Sequence, residues 1–126
     1  MSGYLVETHV LLCWAASPKK LAPDARLVMA SGSNELFFSY ASLWEINIKI
    51  ARGKLTLPES TDVMLQKSRC KPLPIAREHI ALIKDLPHHH RDPFDRMLVA
   101  QAQCDGLTLI TRDQEIPQYG VPTIAA

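Results

Sequence analysis

Apolar residues in this chain fall into short runs separated by longer amphipathic stretches, the pattern of strands interleaved with helices. Residues 4–6 make a strand-like run that ends at polar Glu7 and Thr8, and 9–16 reads as a helix stopped by Ser17-Pro18. A second helix is predicted over 21–30, with Pro23 and Asp24 in its first turn, and a strand over 35–39. Residues 46–50 alternate like a strand, yet Leu43, Ile46 and Ile50 also share one helical face. The flanks favour a helix over 42–52. Ser42 and Glu45 match an S-x-x-E capping box, and Gly53 stands where a C-terminal cap belongs.

Further along, the pattern predicts a helix over 58–69, a strand over 73–75 and a helix over 77–86 ended by Pro87, with the triple histidine 88–90 in a solvated loop. Asp92 suits an N-cap and Pro93 the first helical position of a helix over 92–104. That helix is so apolar, with small Ala100 and Ala102, that it belongs in the interior, and Gly106 stops it. Strands are predicted over 107–111 and 121–124. Strands alternating with helices predict an α/β fold, a three-layer α/β/α sandwich around a mainly parallel sheet, in one domain over 1–126.

Composition narrows the function classes. At 126 residues and 47% hydrophobic content, the chain can bury a core without staples, which argues against disorder. A formal net charge of +1 excludes a globally basic nucleic-acid binder, so any such contact must come from local clusters: Lys49, Arg52 and Lys54, or Arg91 and Arg96. Cys13, Cys70 and Cys104 lack metal-like spacing and read as buried reduced thiols. No signal stretch or long uncharged apolar run is present, so a soluble, cytoplasmic protein without a membrane segment is expected.

Four blocks carry a resemblance over the whole chain: residues 4–12 (YLVETHVLL), 42–46 (SLWEI), 92–102 (DPFDRMLVAQA) and 109–113 (LITRD). In this order they resemble the PIN-domain ribonucleases, specifically the VapC-type toxins of bacterial toxin–antitoxin pairs. The resemblance implies an endoribonuclease with a divalent-metal site, Mg2+ or Mn2+, built from Glu7, Glu45, Asp95 and Asp113. It also implies RNA as substrate, a cognate antitoxin protein as partner, and a homodimer. The chain departs from the family at one position, Glu7, where the first block usually carries aspartate.

The residues themselves support such a site. Ligands gather at the carboxyl ends of parallel strands, where Glu7 and Asp113 fall, and helices that follow such strands start at the same edge, where Glu45 and Asp95 fall. Crowded carboxylates repel unless they protonate or bind a cation, and an all-oxygen donor set suits magnesium. Such an ion can bind phosphate, activate water and stabilise the leaving oxygen. Each residue also has a plainer reading. Glu45 serves as the third residue of a capping box or pairs with Lys49, and Asp92 caps its helix. Asp113 reads as a turn acid, and Thr8 and Thr111 as strand-end hydroxyls that would otherwise support the ligands. Arg96 either neutralises Asp95 or meets RNA phosphate. Adjacent histidines cannot all face one ion, which argues against a metal role for 88–90. Trp14 and Trp44 read as core or partner-groove residues before base-stacking platforms, and Leu43, Trp44 and Ile48 as core or antitoxin contacts. The extra methylene of Glu7 predicts weakened metal binding and reduced activity, or a module that mainly binds antitoxin or RNA.

Overall fold

A computed structural model describes residues 2–126. Five strands, β1 (Ser2–Val6), β2 (Asn34–Ser39), β3 (Lys71–Leu73), β4 (Thr108–Thr111) and β5 (Thr123–Ala125), form one parallel sheet in the order β3-β2-β1-β4-β5. Six helices flank it: α1 (Thr8–Ala16), α2 (Pro23–Ala30), α3 (Tyr40–Ala51), α4 (Thr61–Ser68), α5 (Arg77–Ile83) and α6 (Pro93–Asp105). This is the three-layer α/β/α sandwich that the alternation predicts.

Period-two alternation explains why the centres of β1 and β4 are apolar on both faces. Leu5 and Leu109 pair in register and enter the cluster that holds Leu98, Val99 and Ile116, while Val6 and Ile110 enter the opposite one with Val10, Leu11 and Ile46. Both faces are buried, so neither strand has a polar side. Close packing also limits β1, where a Cβ on Gly3 would stand 2.7 Å from Leu107 Cδ2. Among the described residues, no helix is long and apolar enough to cross a membrane.

Several boundaries differ from expectation for local reasons. Helix α3 starts at Tyr40, because Ser39 is the N-cap and its Oγ accepts from Ala41 N (2.9 Å). Ser42 lies inside the helix, buried, so the predicted S-x-x-E capping box does not exist. Its C-terminal end is as expected, with Gly53 left-handed (φ +70°) and Lys54 N returning to Lys49 O. Helix α4 waits for its cap Ser60, whose Oγ accepts from Val63 N, which leaves Pro58 outside. Helix α2 begins at Pro23, after a short 3-10 turn at Pro18–Lys20. Strand β3 pairs at Lys71–Leu73 rather than 73–75, an edge position that tolerates Pro72. Cys104 is exposed, and Cys13 and Cys70 are partly buried, so the expectation of three buried thiols fails. Burial does push the Cys70 thiol to about 11, which keeps it protonated.

Candidate active site

In the order β3-β2-β1-β4-β5, the chain runs outward from β1 through β2 to β3 and then crosses back to β4 on the other side of β1, so the carboxyl ends of β1 and β4 flank the switch point where such sheets bind ligands. Glu7 follows β1 directly and Asp113 stands two residues past β4. Helix α6 delivers Asp95 to the same crevice. Asp92 caps that helix as expected, its Oδ1 accepting from Phe94 N (2.8 Å) and Asp95 N (3.2 Å). Glu7, Asp92, Asp95 and Asp113 line a cavity of about 420 Å³ together with His9 and His90. Glu45 opens instead into an adjoining groove with Lys49, Arg52, Lys54 and Arg91, and Asp92 borders both.

The carboxylates differ in how their charge is met. Glu7 is buried and caps α1: its Oε2 accepts from His9 N (3.3 Å) and lies 3.2 Å from His9 Nδ1, while Oε1 accepts from Thr111 Oγ1 (3.4 Å). Burial alone would raise its pKa, yet the hydrogen bonds from His9 together outweigh it and hold the carboxyl below the usual value. In turn the Glu7 contact raises the pKa of His9. Glu45 is buried, with Oε2 bonded to Lys49 Nζ (2.9 Å) and Oε1 without a hydrogen-bond partner among the described residues. That same bond is the main reason the Lys49 pKa is raised. For Asp95, burial first and then the charges of Glu7 and Asp92 lift the pKa to about 7. Asp95 therefore resists ionising at neutral pH without an added cation.

His90 is a site residue that sequence reading missed. Its Nε2 lies 2.5 Å from Asp113 Oδ2 and 3.1 Å from Asp95 Oδ2, and its Nδ1 accepts from Asp92 N (3.0 Å). The expectation of a solvated triple-histidine loop fails for this residue, which is mostly buried. Desolvation lowers the His90 pKa, but the Asp113 hydrogen bond and the surrounding acids raise it overall. Among the described residues, His90, Asp113 and Glu115 are a group whose ligand atoms all lie within 4.8 Å of one another. Nothing within a run of three histidines singles one out. The selection comes from Asp92 two residues later and Asp113 on another element.

The remaining candidates separate cleanly. Thr8 donates to Ser42 Oγ (2.8 Å), and Thr111 Oγ1 accepts from Asp113 N (3.0 Å), so both hydroxyls brace the elements that carry the acids. Arg96 does neither of the jobs expected of it. It is buried on another face of α6, with Nη1 donating to Pro87 O (2.8 Å) and Tyr119 Oη (3.2 Å), and Nη2 to Ile83 O (3.0 Å). Consecutive helical residues point about 100° apart, so Arg96 cannot follow Asp95 into the crevice. Trp14 ties α1 to α4 through Ser68 O (3.0 Å), whereas Trp44 is 62% exposed and meets Phe94 edge-on, outside the core.

The all-oxygen acids suit a hard divalent cation: Glu7, Asp95 and Asp113 line one crevice, Asp95 is lifted to about 7 by burial and then by nearby acids, and Glu45 in the adjoining groove has a buried oxygen unpaired among the described residues. Comparison with protein families matches residues 4–122 to the PIN domain. The chain belongs to the PIN domain family. PIN domains are generally nucleases and generally use divalent metal ions. No curated protein sequence matches the chain. Solved structures similar to this PIN domain include VapBC2 from Rickettsia felis bound to a DNA fragment from its promoter, at TM-score 0.71 and 14% identity over 98% of each chain. DNA-bound VapBC from Salmonella typhimurium gives TM-score 0.71 and 15% identity, over 99% of this chain and 98% of that one. FitAcB from Neisseria gonorrhoeae gives TM-score 0.62 and 17% identity over 96% of each. At these identities the likeness is one of fold.

Proposed function

We propose that this PIN domain is a Mg2+- or Mn2+-dependent endoribonuclease, the toxin of a toxin–antitoxin pair. The observation that carries the reading is Asp95: a carboxyl lifted to about 7 by burial and then by the surrounding acids, in the crevice that adjoins the groove of Glu45 with its unpaired Oε1. Asp95 and Glu45 would hold the ion most directly, with Glu7 and Asp113 completing the set. Asp113 has less to offer, because Oδ1 already accepts from Glu115 N (2.8 Å) and Oδ2 faces His90. When bound, the ion supplies charge for a phosphodiester oxygen and activates the attacking water.

The chain's own residues bind and orient the substrate. Lys49, Arg52, Lys54 and Arg91 line the groove that adjoins the acids, which provides cations for a phosphate backbone despite the near-neutral net charge. Such contacts position a strand without reading its sequence. Likeness to VapBC structures supports a cognate antitoxin as partner; a homodimer in a cytoplasmic setting completes the proposed reading.

One observation favours a second reading, a catalytically impaired module that acts by binding antitoxin or RNA. Both Glu7 oxygens are already engaged, by His9 and Thr111. Labelled RNA incubated with Mg2+ or Mn2+, with EDTA, and with the Asp95→Asn protein separates the two. Metal-dependent cleavage that Asp95→Asn abolishes supports the enzyme. RNA or antitoxin binding with no cleavage in any arm supports the binding module.

A further inference from the structure

Under the reading of the crevice as a metal site, on which this inference rests, His90 has a role of its own. We propose that His90 is a positioning residue: its Nε2–H donates to Asp113 while the same nitrogen lies against Asp95, and the ring sets the spacing of two acids that arrive from different elements.

The tautomer follows from the backbone. Asp92 N–H can only donate, so His90 Nδ1, 3.0 Å away, presents its lone pair, and the neutral ring carries its proton on Nε2. That proton points at Asp113 Oδ2 (2.5 Å), and the same nitrogen lies 3.1 Å from Asp95 Oδ2. One ring nitrogen thus touches both the turn after β4 and the first turn of α6. With its only lone pair committed to Asp92, the ring has none to give a cation. His90 therefore acts on the ligands rather than as a ligand, although it clusters with Asp113 and Glu115.

The ring is held from behind. His90 N donates to Tyr119 Oη (2.9 Å), and Tyr119 Oη also accepts from Arg96 Nη1 (3.2 Å). Arg96 further grips Pro87 O and Ile83 O at the start of the same loop. Groups that orient ligands in this way typically change metal affinity about 10- to 100-fold when removed.

Two substitutions divide the ring's functions. In His90→Asn the short amide reaches the Nδ1 position and keeps an acceptor for Asp92 N–H, but loses the donor to the acids. In His90→Gln the amide nitrogen reaches the Nε2 position and keeps that donor. Mn2+ affinity, read by titration calorimetry and electron paramagnetic resonance, should fall about tenfold or more in His90→Asn and return to within about threefold of wild type in His90→Gln. Both variants should melt near wild type. Equal affinity in all three proteins, or equal loss in both variants, overturns the proposal.

Imidazole 15N spectra of the metal-free protein at pH 8 provide a readout independent of activity. An Nε2-protonated His90 is expected, and an Nδ1-protonated ring overturns the proposal. Were wild type to take up no Mn2+, the function proposed above would fail, and these spectra would still decide the role of His90.

Discussion

Helix α6 carries a histidine–aspartate contact at each end, and the two are wired alike. At the C-terminal end, buried His79 accepts from Ala76 N on Nδ1 (2.9 Å) and turns Nε2 to both oxygens of Asp105 (3.2 Å each). At the N-terminal end, His90 accepts from Asp92 N on Nδ1 and turns Nε2 to Asp113 and Asp95. The ends differ in how many acids the donor must serve. Asp105 opposes the negative end of the helix dipole and is met by one histidine, so the contact closes on itself. At the other end, one ring faces an acid cluster in which Asp95 is lifted to about 7. The same bonding is a strut where donors match acids, and a site where acids exceed cations.

The largest test of that contrast is Asp95→Asn. RNA cleavage should fall about 10³- to 10⁴-fold, the loss expected when several kcal/mol of metal-assisted stabilisation goes. The metal-free variant should nevertheless melt above wild type at pH 8, because a buried charge among like charges has been removed. Cleavage within about threefold of wild type would remove Asp95 from the ligand set.

Wild-type stability without metal should show the same excess of acid through its pH dependence. The folded pKa of Asp95, about 7, lies above the unfolded value of 3.8, so the folded state binds the extra proton and stability falls as pH rises between them. His90, also raised, loses its contribution as pH rises through its folded value. Glu7, lowered, has the opposite sign, but its contribution is already complete above about pH 5. The three together predict a metal-free protein that is less stable at pH 8 than at pH 5, by at most ~4 kcal/mol. Added Mn2+ should erase most of the slope. A flat profile in urea denaturation would mean that the acids are already compensated.

The C-terminal end should respond differently. His79→Leu leaves the Ala76 N–H and Asp105 unpaired and should cost ~2–3 kcal/mol, a drop of roughly 10 °C in melting temperature. Mn2+ affinity should not change. A change there would show that the two ends of α6 are not independent.

Much of this was legible in the chain. Runs such as 107–111 and the Asp92-Pro93 opening of α6 state their structure locally, because a buried parallel strand and an N-cap each need particular residues in place. The site was half legible. Glu7 and Asp113 follow from strand ends, and the sheet order then brings them together. Glu45 was obscured by a local coincidence: Ser42 and Glu45 fit a capping box, while the cap in use is Ser39, three residues earlier. Pattern matching sees spacing but not which of two serines ends the strand. Arg96 failed for a related reason, since adjacency along a helix says nothing about direction. His90 required knowing that Asp113, 23 residues away, returns to meet it.

The smallest expected effect lies at Glu7. Glu7 keeps the charge but reaches a methylene further than aspartate, far enough for its carboxylate to meet both His9 and Thr111. In Glu7→Asp the carboxylate draws back from His9 Nδ1, so the contact that raises the His9 pKa weakens. One oxygen is then released toward Asp95, whose own elevation owes something to the Glu7 charge. Mn2+ affinity and cleavage should rise together about tenfold, ~1.4 kcal/mol, the scale of effects from groups that orient ligands. A paired fall in the His9 pKa, followed by proton NMR, separates this cause from a general gain in stability. If affinity and cleavage stay unchanged while the His9 pKa falls, Glu7 is a cap for α1 and a partner for His9, and the ion is held by the remaining acids.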